Sequence, residues 1–213
     1  MFSYEDRCIY RRSPLIEVIC QLRFPAILRI DAQAPAQFQE AIRGDYPQFS
    51  QRMENLPPRK EGGKLVPQGT QPNYQFLAKD NHWKVNLTKN FISLSTNHYT
   101  RWEDFAKRLD KVLAAFIRLY QPTYFERVGL RFINSISRRA LELEGAQWRE
   151  LLQPGFLGLL AEPDMKEQGV MGEGQRYDLP LAGGCRAKIQ SAPAMMQRKD
   201  LRTQQEQQEA VFI

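Results

Sequence analysis

The sequence contains no apolar run of about 18 residues, the length that a membrane-spanning helix needs. Its amino end, "MFSYEDRCIYRRSPLIE", is charged, whereas a secretory signal has an apolar centre at this place. Neither a membrane segment nor a secretory signal is therefore predicted, and we expect a cytoplasmic protein.

Cysteine is scarce. The chain has three cysteines, Cys8, Cys20 and Cys185, which are an odd number, widely spaced and without a Cys-x-x-Cys pair. A disulfide framework needs paired cysteines, and a zinc site needs closely spaced ligands. We therefore expect three reduced thiols and neither kind of site.

Catalytic motifs are also few. The two histidines, His82 and His98, belong to no HExxH motif. The segment around Gly63 and Lys64 lacks the first glycine and the Ser or Thr of a phosphate-binding loop, and no GxSxG or strand-linked GxGxxG occurs. Cys185 follows two glycines with no histidine nearby, which favours a turn cysteine over an activated thiol. We therefore predict no catalytic residue, metal, cofactor or small-molecule substrate, and a chain that is not an enzyme.

Regular alternation of apolar and polar residues predicts strands. Residues 15 to 24 alternate cleanly, and shorter segments that begin at Tyr74, Trp83 and Phe91 do the same, with short polar connections between them. Such connections favour an antiparallel meander. Residues 125 to 136 predict a further strand.

Helical spacing of apolar residues predicts two helices. Residues 34 to 44 give a short amphipathic helix, and residues 100 to 122 give one of about five turns. Thr100 and Glu103 form a capping-box pattern at the start of the long helix. Asp104 and Arg108 have the spacing of a favourable i, i+4 ion pair on its solvent face.

The order strand, helix, three strands, long helix, strand predicts an α+β fold with a mostly antiparallel sheet and both helices on one face. Residues 1 to 136 would form this basic sheet domain, and residues 137 to 213 a smaller, irregular α+β segment packed on it. Residues 53 to 73 hold too many prolines and glycines for a helix or a central strand, which predicts a mobile loop. Residues 197 to 210 are polar and predict a surface loop.

The predicted sheet has two different faces. The face under the helices would collect the apolar residues of every strand, including Val128, Leu130 and Phe132. The opposite, outer face would be open and polar, and its expected residues are Gln21, Arg23, Lys84, Asn86, Thr88, Ser93, Ser95, Arg127 and Arg131.

Positive charge is concentrated in the first part of the chain. The net charge is +6, with 20 basic against 13 acidic residues in residues 1 to 136, and 10 against 11 in residues 137 to 213. A basic excess is typical of proteins that bind nucleic acid or an anionic partner, although it is equally compatible with simple solubility.

The stretch "FERVGLRFINSI" contains the sharpest candidate cluster, Arg127, Gly129 and Arg131 on one face of a strand. A glycine inside a strand often marks a bulge or the close approach of another group, and guanidinium groups suit carboxylate or phosphate. The cluster would therefore bind an anionic partner. The alternative is a structural bulge at Gly129, with the arginines paired to neighbouring acids such as Glu17.

Three stretches, "PLIEVICQLRFP", "FISLSTNHYTRWEDFAKRL" and "ERVGLRFIN", resemble a family of uncharacterised, sporadically distributed prokaryotic proteins. They span most of residues 14 to 134. The resemblance implies no known activity and no catalytic residue. It also implies that members continue past the point equivalent to "AVFI", so a shortened member is expected here.

We predict a non-enzymatic interaction module that contacts a protein partner or a second copy of the chain. The alternative is binding to a nucleic-acid backbone, assisted by the loop. Readers of RNA that use a sheet surface stack bases on exposed aromatics, and the outer face offers only Phe91. The candidate interaction residues are Arg23, Lys84, Arg127, Gly129, Arg131, Arg59, Lys60 and Lys64.

Overall fold

The computed structural model describes residues 12–167, 170, 174–199 and 206–213. These residues divide into two compact units, and each is treated separately. The first unit is Leu15–Phe132, and the second takes in the described residues of 12–14 and 133–213. The sequence analysis placed the division four residues further on, after residue 136.

The first unit contains most of the regular structure. Its strands are β1 (Leu15–Arg23), β2 (Gln48–Asn55), β3 (Arg59–Glu61), β4 (Lys64–Val66), β5 (Thr70–Leu77), β6 (Trp83–Thr88) and β7 (Phe91–Thr96), and β8 (Arg127–Asn134) ends in the second unit. Its helices are α1 (Leu28–Ala32), α2 (Ala36–Ile42) and α3 (Trp102–Tyr120). Every predicted strand and helix of residues 1 to 136 is present, whereas α1, β2, β3 and β4 were not predicted.

Six strands form one sheet in the order β2-β5-β6-β7-β1-β8. The pairs from β2 to β1 are antiparallel, with Phe49 opposite Phe76, Val85 opposite Leu94 and Leu94 opposite Cys20. The predicted α+β class with a mostly antiparallel sheet is confirmed. Strands β2 and β8 lie at the two edges.

The core lies on one face of this sheet because apolar residues alternate along each strand. Val18, Val85 and Leu94 from the strands and Phe38 and Phe116 from helices α2 and α3 are fully buried there. Phe24 extends the cluster, with its ring centroid 4.8 Å from that of Phe116. Burial of one such side chain contributes about 1.5 to 3 kcal/mol relative to exposure.

Helix α3 begins differently from the prediction. Its N-cap is Arg101, and no side chain caps the first turn; the Thr100 hydroxyl instead donates to Asp104, with Oγ1 and Oδ2 3.3 Å apart. The Asp104 carboxylate also binds Arg101 at 2.8 Å, whereas Arg108 lies over the ring of Trp83. The predicted capping box is therefore wrong, and Asp104 still places negative charge in the first turn, where the helix dipole favours it.

Residues 53 to 73 are not a structureless loop. The ends of β2 and β5 pair from Met53 opposite Pro72 to Asn55 opposite Thr70, and the hairpin of β3 and β4 follows. Gly62 and Gly63 have φ values of +56° and +83°, as a tight two-residue hairpin turn requires. The prolines at 57, 58 and 67 lie in the connections between β2 and β3 and between β4 and β5. A proline there removes no hydrogen bond of a strand pair.

The centre of the outer face is not open as predicted. Thr88, Ser93 and Ser95 are buried, and the longer Gln21 and Asn86 lie opposite Ser93 on the neighbouring strands. A short side chain between longer neighbours has little access to water. The most exposed strands of this sheet are therefore its two edge strands, β2 and β8.

The second unit has short elements. They are β9 (Ile136–Ser137), α4 (Arg138–Leu141), α5 (Trp148–Leu151), α6 (Pro154–Leu157), a 3₁₀ turn (Gly158–Ala161), β10 (Gln175–Pro180), β11 (Arg186–Ser191), β12 (Pro193–Lys199) and β13 (Glu206–Phe212). Strands β10 and β11 form a hairpin, and β12, β13 and β9 form a three-stranded sheet. The predicted surface loop at 197 to 210 is therefore partly strand, and its residues 200 to 205 lie outside the described residues.

The core of the second unit is small. Trp148, Leu157 and Phe212 are buried together, and the rings of Trp148 and Phe212 meet edge to face at 5.2 Å. The Arg138 guanidinium lies 4.2 Å from the centroid of the Trp148 ring, and its Nη1 is 2.8 Å from Glu167. This ion pair fixes the guanidinium over the indole.

Within the described ranges, no helix combines the length and the apolar character that crossing a bilayer demands.

Candidate functional site

Strand β8 is exposed along its length. Val128, Leu130 and Phe132 are 65%, 44% and 46% exposed, so their predicted place in the buried core is wrong. The ring of Phe132 meets the ring of Tyr99 edge to face, at 5.8 Å. As the last strand of the sheet, β8 has no second neighbour among the described strands.

The opposite side of β8 carries Arg127, Gly129 and Arg131, as alternation in a strand requires. Both arginines are exposed, and neither forms an ion pair with any acid in the described part of the chain, Glu17 included. A Cβ atom at Gly129 would lie 3.2 Å from Nη2 of Arg127. The missing side chain thus lets the Arg127 guanidinium lie over the strand.

Replacing Gly129 by alanine tests whether the glycine has a structural role. The close neighbour is the flexible end of Arg127, which can move by a few tenths of an ångström. Glycine in a strand is less favourable than alanine, so Gly129→Ala should raise the free energy of unfolding by about 0.5 to 1 kcal/mol in urea denaturation. A decrease of similar size in the free energy of unfolding would show that the placement of the Arg127 guanidinium over Gly129 stabilises the fold.

Of the other candidate residues, Arg23 adjoins this cluster, because its carbonyl oxygen accepts from the backbone N–H of Glu126 at 2.8 Å, whereas Lys84 and the β3–β4 hairpin lie elsewhere in the unit. Arg23 lies opposite Phe91 and is exposed, whereas Lys84 lies opposite Ser95 and is half-buried. Four residues separate these two points along β7, which is about 13 Å. Arg23 and Lys84 therefore do not belong to one continuous basic surface.

Arg59, Lys60 and Lys64 lie on the β3–β4 hairpin, which continues from β2 at the other edge of the sheet from β8. All three are exposed, and Arg59 is 3.8 Å from Glu61. The eight predicted residues therefore do not form one surface: Arg23 adjoins β8, Lys84 lies on an interior strand, and the three hairpin residues lie at the other edge. Only Arg127, Gly129 and Arg131 lie together on one face of one strand.

Two contacts were missed by sequence reasoning. The rings of His82 and His98 are 5.0 Å apart at their centroids, and Nδ1 of His82 is 2.7 Å from Oδ1 of Asn97. Sixteen residues separate the two histidines, and only the antiparallel pairing of β6 with β7 brings them together. In the described ranges no cluster of three or more His, Cys, Asp or Glu side chains is placed to hold a metal ion.

The cysteines have different surroundings. Cys20 is buried and its thiol pKa is raised by burial, whereas Cys185 is exposed, and both are free. Cys8 lies outside the described residues.

Comparison of the chain with protein-family models, with curated proteins and with solved structures found no match.

Proposed function

We propose that the protein is an interaction module that binds an extended segment of a protein partner along the free edge of β8. The supporting observation is an edge strand exposed on both faces, with Val128, Leu130 and Phe132 on one side and Arg127 and Arg131 on the other. An open edge presents unpaired backbone N–H and C=O groups, which an added strand can satisfy.

The two faces of β8 specify the partner's chemistry. A strand added to the edge places its side chains on the same two faces in alternation. Apolar residues would cover Val128, Leu130 and Phe132, and carboxylates on the other face would meet the two exposed guanidinium groups of Arg127 and Arg131. Arginine and carboxylate form the strongest charge-assisted hydrogen bonds available to side chains. The partner is therefore a segment in which acidic and apolar residues alternate.

A second copy of β8 fits this edge poorly. If two β8 strands pair with like faces together, Arg127 and Arg131 of each face those of the other. If they pair with unlike faces together, the arginines are placed against the apolar row. Like charges opposite one another destabilise a strand pair, and an unpaired charge on an apolar surface has a desolvation cost. Charge complementarity favours an acidic partner over self-association.

A labelled octapeptide of alternating glutamate and valine provides the test. We expect saturable binding by fluorescence anisotropy and at least a tenfold loss of affinity, about 1.4 kcal/mol, in the double variant Arg127→Glu with Arg131→Glu. The same variant should gain affinity for a peptide of alternating lysine and valine. This exchange of preference requires contact between the peptide and these two positions.

A matched control is the double variant Arg176→Glu with Arg186→Glu, which changes two exposed arginines on β10 and β11 and should bind the glutamate peptide like the parent. Equal affinity of parent and β8 variant would refute the proposal. Binding of a labelled single-stranded oligonucleotide that needs Arg127 and Arg131 and weakens steeply with salt, without peptide binding, would replace it by the nucleic-acid alternative.

A further inference from the structure

A cleft of about 370 Å³ lies in the first unit, between the start of α3 and the segment that follows α2. Its wall includes Tyr46, Trp83, His98, Lys107 and Arg108. None of these residues belongs to the β8 edge. The cleft therefore has to be explained separately from the proposed function.

Arg108 is held in a fixed position at this cleft. Its Cζ lies 4.5 Å from the centroid of the Trp83 ring, and the guanidinium lies near the Tyr46 hydroxyl, where it opposes the rise in the pKa of that phenol. Trp83 and Tyr46 are 7% and 2% exposed, so the two aromatic residues beside Arg108 are both packed in the core. A guanidinium stacked on an indole keeps its edge N–H groups free for a planar or tetrahedral oxyanion.

The charges at the cleft are not balanced. Of the two acids that line it, Asp45 lies 3.6 Å from Lys111 and Asp104 lies 2.8 Å from Arg101. In the described part of the chain, Arg108 and Lys107 form no ion pair within 4.0 Å. Two cations are thus available to a ligand.

Tyr46 adds a hydrogen-bond donor. Tyr46 lines the cleft beside Arg108, and its phenol carries a proton that it can donate at neutral pH; burial raises the pKa of Tyr46 further, to about 12. A protonated phenol beside a guanidinium suits an acceptor with negative charge.

We infer that this cleft binds the carboxylate or phosphate group of a small molecule, with Arg108 as the principal contact and Lys107 and Tyr46 beside it. This ligand class differs from the extended peptide proposed for β8. The two sites can be tested independently because their residues do not overlap.

The experiment follows the indole N–H signal of Trp83 by ¹H–¹⁵N NMR on the full chain during titration with sodium phosphate and, separately, sodium acetate. Ionic strength is held constant with sodium chloride. We expect a saturable shift of the Trp83 signal with at least one of the two anions. The anion that reaches saturation at the lower concentration is the preferred ligand. The Arg108→Gln variant should bind at least tenfold more weakly.

Two further variants keep the result interpretable if Arg108→Gln is unstable. Lys107→Gln changes an exposed residue and should weaken binding about threefold, and Lys60→Gln, on the distant β3–β4 hairpin, should leave it unchanged. A linear shift without saturation for both anions, or equal affinity in the parent, Lys107→Gln and Arg108→Gln proteins, would overturn the inference.

Discussion

Replacing Phe105 by alanine should lower the free energy of unfolding of the first unit by about 3 to 5 kcal/mol. The ring is fully buried and contacts three others, with centroids 5.7 Å away for Trp83, 6.2 Å for Tyr99 and 5.9 Å for Trp102. The truncation removes the transfer free energy of the ring and leaves a cavity that rigid aromatic neighbours cannot fill. Urea unfolding monitored by the amide signals of β6 and β7 measures the loss in this unit alone.

Phe49 gives the matched comparison. It lies on the edge strand β2, is 47% exposed, and contacts Tyr74 and Phe76. Because much of its ring already contacts water, Phe49→Ala should cost only about 1 to 2 kcal/mol. If both substitutions cost the same, the packing of α3 on the sheet does not dominate the stability of the first unit.

Local pattern predicted most of the first unit because pattern and burial agree there. Residues 15 to 24 alternate in sequence, and Val18, Cys20 and Leu22 are buried on one face of β1. Apolar spacing likewise placed α3, whose Phe105, Leu109, Val112 and Phe116 are buried. Tertiary contacts were needed for α1, which is too short to show a period.

Predictions from the local sequence pattern were wrong where strand pairing overrides local propensity. The prolines and glycines of residues 53 to 73 indicated a loop, yet they occupy the turn and the joints of a paired ribbon. In β8 the alternation is real, and the burial that it normally implies is absent because no described element covers the strand. Alternation shows that a strand has two faces and does not show which face is covered.

The candidate site was accessible to sequence reasoning only in part. The arginine pair and its glycine were identified from their alternation on one short strand. Their separation from Lys84 and the β3–β4 hairpin depends on strand order, which places β2 and β8 at opposite edges. The cleft at Arg108 depends on contacts between Tyr46, Trp83 and α3 that are far apart in sequence, so no local motif could reveal it.

Alkaline pH should destabilise the first unit through Tyr46. Burial is the main reason that the pKa of this phenol rises to about 12 from an ordinary value near 10, and the nearby Asp45 and Asp80 act in the same direction while Arg108 opposes them. Below pH 10 the phenol is protonated in both folded and unfolded chains. Between pH 10 and 12 the unfolded chain loses the proton first, so stability falls as pH rises, by up to about 2 to 3 kcal/mol.

Tyr46→Phe removes this titration and separates it from the other effects of high pH. At pH 8 the variant should be less stable than the parent by up to about 1 kcal/mol, because Arg108 loses its favourable interaction with the phenol oxygen. Between pH 10 and 12 its free energy of unfolding should fall less steeply than that of the parent, and the two curves should converge or cross. Tyr74 and Tyr120, whose pKa values are also raised by burial, keep titrating in both proteins and cancel in the difference. Parallel curves throughout this range would show that Tyr46 ionises alike in the folded and unfolded chains, and that its burial does not hold the proton.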